Sequence, residues 1–114
     1  MIDLIIGTFI LDFQTVDFES DSKVVQEFLL ELQMTCELEN SFALDDPVSS
    51  AGWSFAKLFL SSQLAEKIYS LRGYEIDGSK GKKFEDRFIA WLGTQLKDKG
   101  CGAQVKMARE MKSL

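Results

Sequence analysis

The chain has 114 residues, of which 46% are hydrophobic and 27% charged, and its formal net charge is −5. This length suits one ordinary domain, and the composition is that of a folded protein rather than a disordered segment. Because the chain contains no histidine, it lacks the commonest general base and the commonest metal ligand. We therefore expect residues 1–114 to form a single globular domain without a Cys–His or His–metal site.

The first half of the chain predicts two helices. Residues 2–17 carry apolar side chains at helical spacing, which favours a helix, although Phe9, Leu11 and Phe13 also alternate as they would in a strand. The Glu-Ser-Asp-Ser cluster at 19–22 predicts the start of the next helix, since such side chains accept hydrogen bonds from free first-turn amides. The apolar face of that helix would consist of Val25, Phe28, Leu29, Leu32 and Cys36.

Residues 30–38 alternate between apolar and polar side chains, which is also the pattern of a half-buried strand. We expect them to continue the helix, with a strand as the alternative. The segment 39–52 is predicted to be a loop, because Asp, Ser and Gly clusters surround Pro47, the only proline of the chain.

The second half of the chain predicts three more helices. Residues 53–72 have apolar side chains on two sides and indicate a buried central helix that ends at Gly73. A glycine-rich loop follows. Residues 83–99 form the clearest helical pattern, and residues 103–113 indicate a short last helix.

These elements predict a mainly α fold, a bundle of four to five helices. The alternative is an α+β fold with strands near 2–13 and 30–38. In either fold Trp91 is expected to anchor the core, because it stands in one apolar stripe with Phe84, Phe88 and Leu92.

No motif indicates catalysis. The loop from Gly73 to Lys80 resembles a phosphate-binding loop only superficially, because Ser79 and Lys80 are transposed and Glu75 and Asp77 would repel a phosphate. We therefore expect no enzyme, no catalytic residue, no cofactor and no metal. Lys80, Lys82 and Lys83 are expected to contact an anion at most.

The two cysteines are far apart and form no C-x-x-C pair, so we expect reduced thiols in a cytoplasmic protein. No signal peptide or membrane helix is expected. Cys101 lies between two glycines and near Lys97, Lys99 and Lys106 in the chain, which predicts an exposed and more reactive thiol than Cys36. A small thiol-dependent enzyme is the weakest functional alternative.

Charge divides the chain. Residues 1–50 contain eleven acids and one base (1 − 11, or −10), whereas residues 51–114 contain seven acids and twelve bases (12 − 7, or +5). The halves would either neutralise each other or offer an acidic surface that steers a basic partner. We expect partner-binding residues at Glu37, Glu39, Asp45, Asp46 and Trp53.

The function that these features favour is a non-enzymatic interaction protein. We expect a small acidic inhibitor or immunity-type protein that masks a basic protein such as a nuclease toxin. The alternative is a nucleic-acid-associated regulator that uses the basic C-terminal half. Trp53, Phe55 and Phe59 are expected to be core anchors, and the alternative is an aromatic interface beside the acidic residues.

Overall fold

The computed structural model describes residues 8–108. Within that range the chain forms five strands and three helices, so the fold is α+β and the predicted helical bundle is wrong. In chain order the elements are β1 (Thr8–Thr15), α1 (Phe18–Thr35), β2 (Phe42–Leu44), β3 (Val48–Ser50), β4 (Trp53–Ser61), α2 (Ser62–Asp77), α3 (Phe84–Asp98) and β5 (Gln104–Met107).

The five strands form one antiparallel sheet in the order β2, β4, β1, β5. β1 lies along one side of β4, with Leu11 opposite Leu58. β2 and β3 both pair with the other side of β4, β2 near its end and β3 near its start. β5 pairs with β1 and forms the opposite edge of the sheet, with Val105 opposite Phe13.

β1 is a strand because its residues alternate between the two faces of the sheet. Leu11 and Phe13 are completely buried, while their neighbours point the other way. Pairing with β4 over eight residues outweighs the helical spacing of the same side chains. The helix expected over 2–17 is therefore wrong for its described part, and the alternative strand near 2–13 agrees with β1 from residue 8 onward. Residues 1–7 lie outside the described part of the chain.

α1 agrees with the predicted second helix. Asp17 caps it by accepting a hydrogen bond from the backbone N–H of Ser20 at 3.3 Å. The alternation over 30–38 reflects exposed Leu30 and Met34 on a helix rather than a strand, and the strand alternative is wrong there. The helix needs no second buried face to accommodate Leu30 and Met34, because single apolar residues are common on protein surfaces.

The central helix expected over 53–72 is a strand followed directly by a helix. In β4 Ala56, Leu58 and Leu60 are buried at every second position. Ser61 then caps α2, accepting a hydrogen bond from the backbone N–H of Leu64 at 3.0 Å. α2 also continues past its expected end at 73 to Asp77, with a kink at Arg72.

Three short strands occupy segments for which the sequence indicates other structure. β2 and β3 lie inside the predicted loop 39–52, and β5 replaces the start of the predicted helix 103–113. Each is held by backbone pairing to β4 or β1 rather than by its own sequence pattern. Residues 109–113 of that predicted helix lie outside the described range. α3 agrees with the helix predicted over 83–99.

The core lies between the helices and one face of the sheet. Side chains from all three helices share a buried cluster with the inward residues of β1 and β4, among them Val25, Ile68 and Leu92. Trp91 is 3% exposed and packs against the rings of Phe28 and Phe88, so its predicted place in the core is confirmed. The opposite face of the sheet has no helix on it in the part of the chain that the structure describes.

The turn between α2 and α3 is tightly packed. Arg87 donates to the carbonyl oxygen of Lys82 at 2.7 Å and lies 3.9 Å from the Asp77 carboxylate. Gly81 has φ +133°, and a Cβ there would lie 2.5 Å from the Cβ of Asp86.

We expect Gly81→Ala to lower the free energy of unfolding by about 1–3 kcal/mol, because the substitution adds both backbone strain and a clash. Urea denaturation measures the change. Gly93→Ala is the matched control in α3, where the new Cβ meets only Val105, at 3.8 Å. This control should raise the stability by up to about 1 kcal/mol. Equal urea midpoints for wild type and Gly81→Ala would contradict the close packing of this turn.

Candidate functional site

We call the face of the sheet that no helix within residues 8–108 covers the open face. It carries the outward-pointing side chains of β1, β4 and β5. Residues directly opposite each other in the antiparallel pairing share a face, so the register determines which side chains meet. On β1, β4 and β5 the open face consists of Ile10, Asp12, Gln14, Trp53, Phe55, Lys57, Phe59, Gln104 and Lys106.

The open face is rich in exposed apolar side chains. Trp53 is 36% exposed and Phe55 is 41% exposed, and Phe59 follows them on the same side of β4. Val48 of β3, 68% exposed, lies directly opposite Phe55. The expectation that Trp53, Phe55 and Phe59 are core anchors is therefore wrong, because all three alternate with the buried residues of β4 and point away from the core.

A groove of about 390 Å³ crosses the open face beside the turn between β2 and β3. The apolar residues of its lining are Phe13, Val48, Phe55 and Ala56, and the charged side chains stand around them. Three carboxylates against two ammonium groups leave a formal charge of −1 (2 − 3) along the groove. The charged residues are Asp12, Asp45, Asp46, Lys57 and Lys106.

The three carboxylates of the groove differ in the hydrogen bonds and ion pairs that they already form. Asp12 forms an ion pair with the ammonium of Lys57. Asp45 accepts a hydrogen bond from the backbone N–H of Lys57 at 2.7 Å through Oδ1, and its own N–H donates to the Lys57 carbonyl. Asp46 is exposed and has no hydrogen bond or ion pair within residues 8–108. Asp46 and the second oxygen of Asp45 thus remain available to a cation.

The predicted partner-binding residues divide into two groups. Asp45, Asp46 and Trp53 belong to the open face or its rim. Glu37 and Glu39 lie before β2, at the end of the sheet where Ser41 meets Ser61. β2 separates the two groups by three extended residues, about 10 Å of chain.

The lysines expected to contact an anion lie elsewhere. Lys80, Lys82 and Lys83 stand in the turn between α2 and α3, within the helical layer, and all three are exposed. The carbonyl oxygen of Lys82 is occupied by Arg87. The structure thus separates these lysines from the aromatic and acidic residues of the open face.

Both thiols are buried, which contradicts the expected exposure of Cys101. Cys101 is 5% exposed and its Sγ lies 3.9 Å from the backbone oxygen of Asp21. Burial raises the pKa of the Cys101 thiol above its usual value, and burial does the same to the pKa of Cys36. A thiol with a raised pKa is a poor nucleophile at neutral pH, so no geometry here favours thiol chemistry.

We expect both cysteines to react with iodoacetamide at full rate in denaturant and much more slowly in the folded protein. Because both folded-state pKa values lie above the unfolded value of 9.0, the unfolded state loses these protons first as pH rises. Stability from the protonated thiols is therefore present below pH 9.0 and declines above it. Rapid alkylation of the folded protein near neutral pH, followed by mass spectrometry, would show that Cys101 is accessible after all.

Some residues of the open face were missed by sequence reasoning. The helices predicted over 53–72 and 103–113 do not bring Lys57, Lys106 and Phe55 to one surface, so the sequence alone does not group them. The signal that indicates a strand over residues 53–61 is alternation at every second position. Ala56 and every second residue after it are buried, and the residues between them lie on the open face. Asp12 becomes visible only once β1 is paired with β4.

No helix within residues 8–108 is long and apolar enough to cross a membrane. In the same range no three Cys, Asp or Glu side chains come close enough to ligate one metal ion. Comparison of the chain with protein-family models, with curated proteins and with solved structures found no match.

Proposed function

We propose that the protein is a non-enzymatic interaction protein that binds a basic protein through its open face. In this role it acts as a small inhibitor or immunity-type protein that masks a cationic surface, such as that of a nuclease toxin. The observation that carries the proposal is the exposed ring of Phe55 in one groove with the unpaired carboxylate of Asp46, with exposed Trp53 next to Phe55 on the same side of β4.

The apolar side chains of the open face form two groups on either side of Lys57. Trp53 and Phe55 lie on one side of it, about 7 Å apart at alternate positions of β4, and Val48 of β3 lies opposite Phe55. Phe59 lies on the other side of Lys57, with Ile10 of β1 opposite it. Exposed apolar surface rimmed by polar residues is typical of protein interfaces, and Trp is among the residues enriched at their energetic centres.

The charge of the rim favours a cationic partner. The first fifty residues carry a formal charge of −10, and the turn at Asp45 and Asp46 brings part of that charge to the groove. Carboxylates beside an apolar patch accelerate encounter with a basic protein and select against acidic ones. Such steering weakens as salt is added, because the Debye length is about 8 Å at physiological ionic strength.

The experiment compares two charge reversals that leave the core untouched. Asp45→Lys with Asp46→Lys alters the rim of the open face, and Lys82→Glu with Lys83→Glu alters an equal number of exposed charges on the helical side. Each variant and the wild type are immobilised, exposed to extract of the source cells, and compared by quantitative mass spectrometry.

We expect at least one basic protein that the wild type and the Lys82/Lys83 variant retain and the Asp45/Asp46 variant loses by about tenfold or more, which is about 1.4 kcal/mol of binding free energy. Trp53→Ala should lose the same protein. If the Lys82/Lys83 variant loses binding and the Asp45/Asp46 variant keeps it, the open face is not the binding surface and the helical turn is.

A second candidate is single-stranded nucleic acid, favoured by one observation. On the open face Lys57 stands between the aromatic side chains of β4, and Lys106 of β5 lies on the far side of β1 from them. Aromatic residues on a sheet can stack bases while lysines contact phosphates. The three carboxylates of the groove oppose phosphate binding. Fluorescence anisotropy with labelled oligouridine separates the candidates. Binding at low salt that Phe55→Ala abolishes would replace the basic protein partner with nucleic acid.

A further inference from the structure

The groove of the open face has two chemically different walls. One is apolar and contains the ring of Phe55 and the side chain of Val48. The other is the turn between β2 and β3, which carries Asp45 and Asp46 next to each other in the chain. A ligand that fills such a groove needs a cationic end for the turn and a flat or apolar part for the ring.

The existing pairings locate the free negative charge. Lys57 already neutralises Asp12 through its ammonium, and its backbone N–H uses one oxygen of Asp45. Within the described part of the chain, the remaining acceptors are the second oxygens of Asp12 and Asp45 and both oxygens of Asp46. Of these carboxylates, only those of Asp45 and Asp46 have no ammonium group paired with them. The attraction for a cation is therefore concentrated at the turn, at one end of the groove, rather than along its length.

Arginine matches this arrangement better than lysine. A guanidinium group is planar and weakly hydrated, stacks on aromatic rings, and donates two parallel hydrogen bonds to a carboxylate. A lysine ammonium is strongly hydrated and makes no such stack. Phe55 offers an exposed ring in the same groove as the carboxylates of Asp45 and Asp46, so the groove supplies both kinds of contact at once.

We propose that the groove receives an arginine side chain of the basic partner, whose guanidinium binds Asp46 and Asp45 and stacks on Phe55. The inference rests on the proposed function and specifies the chemistry by which the open face recognises its partner. The arginine belongs to a protein chain, because Val48 and Trp53 extend the apolar surface beyond what a single amino acid covers. It binds at the end of the groove that the turn forms, where the apolar side chains of Phe55 and Val48 shield one side of the ion pair from water.

The test uses three blocked tripeptides as probes, acetyl-Gly-X-Gly-amide with X arginine, lysine or citrulline. Citrulline keeps the shape of arginine and removes its charge. Each peptide is titrated into the ¹⁵N-labelled full chain, and amide chemical shifts report the site. We expect the arginine peptide to shift the amides of Val48, Phe55 and Asp46 saturably. The lysine peptide should bind about fivefold more weakly, and the citrulline peptide should not bind.

Two variants and one control identify the contacts. Asp46→Asn should abolish the shifts without affecting the fold, because Asp46 is exposed and makes no bond within residues 8–108. Phe55→Leu keeps an apolar wall and removes the ring, so the arginine and lysine peptides should bind this variant with equal affinity. Glu39→Gln removes an equal charge outside the groove and should change neither affinity.

Equal binding of arginine and lysine by the wild type would overturn the arginine site and leave only an acidic rim. If the citrulline peptide binds as tightly as the arginine peptide, the groove binds the apolar part of the ligand and does not recognise its charge. If the arginine peptide causes no shifts while the Asp45/Asp46 reversal still releases a basic protein, the arginine site is wrong and the proposed function stands. If the arginine peptide causes no shifts and the Asp45/Asp46 reversal releases no basic protein, both proposals are wrong.

Discussion

Trp91→Ala is expected to lower the free energy of unfolding by about 3–5 kcal/mol, the usual loss for a large aromatic residue removed from a core. Trp91 is almost completely buried, with its ring centroid 5.9 Å from that of Phe88 and 6.3 Å from that of Phe28. Its indole N–H also donates to the Glu75 carboxylate at 3.0 Å, a bond that joins α3 to α2. Urea denaturation followed by far-ultraviolet circular dichroism measures the loss.

Trp53→Ala is the matched control, because it removes the same side chain from the open face. We expect it to change the stability by about 1 kcal/mol or less, as surface substitutions usually do. The two variants together separate a core tryptophan from a binding tryptophan. Equal losses from both would contradict the division of the sheet into a packed face and an open face.

Asp21→Ala is expected to lower the free energy of unfolding by about 2–4 kcal/mol, because it leaves two hydrogen-bond donors without their charged acceptor. Asp21 is 6% exposed at the start of α1. Its carboxylate accepts from the Thr15 hydroxyl at the end of β1 and from the Gly102 N–H at 3.0 Å, just before β5. One side chain thus joins three separate parts of the chain.

Glu19→Ala is the control for Asp21, since it removes an exposed carboxylate from the same first turn of α1. We expect it to cost about 0.5 kcal/mol, the contribution of a carboxylate near a helix N-terminus. Urea midpoints of the two variants give the comparison. If Asp21→Ala costs no more than Glu19→Ala, the buried hydrogen bonds of Asp21 do not stabilise the fold.

The helices α1 and α3 were predictable because each has one buried face and one solvated face. In α3 the stripe through Phe88, Trp91 and Leu92 packs against the other elements, so the apolar period equals the helical period. β4 was not predictable in this way. It passes into α2 at Ser61 without an intervening loop, so apolar positions of period two and period 3.6 merge into one stretch from 53 to 72.

The short strands could not be read from the sequence for a different reason. β2 and β3 have three residues each and β5 has four, too few for a period to be counted. They are strands because β4 and β1 offer them backbone partners, a property of the folded molecule. The turn residues around Pro47 are evident in the sequence, whereas the pairing of the segments on either side of them with β4 is not.

The candidate site was predictable only in part. The exposure of Asp45 and Asp46 follows from turn-forming residues, which the sequence shows directly. That Phe55 stands beside them depends on the register of β4 on β1, and a slip of β4 by one residue would place the Phe55 ring in the core. The separation of Glu37 and Glu39 from this turn depends likewise on β2 lying between them.

The alternation along β4 has a consequence for engineering and for sequence change. Leu58 and Leu60 of β4 maintain the core, whereas Trp53, Phe55 and Lys57 lie on the open face and form no part of that core. One strand therefore carries two sets of requirements that can vary independently. A library restricted to residues 53, 55 and 57 would alter the chemistry of the groove while the packed side of the sheet stays constant. The scaffold can in this way acquire new binding specificities without first gaining stability.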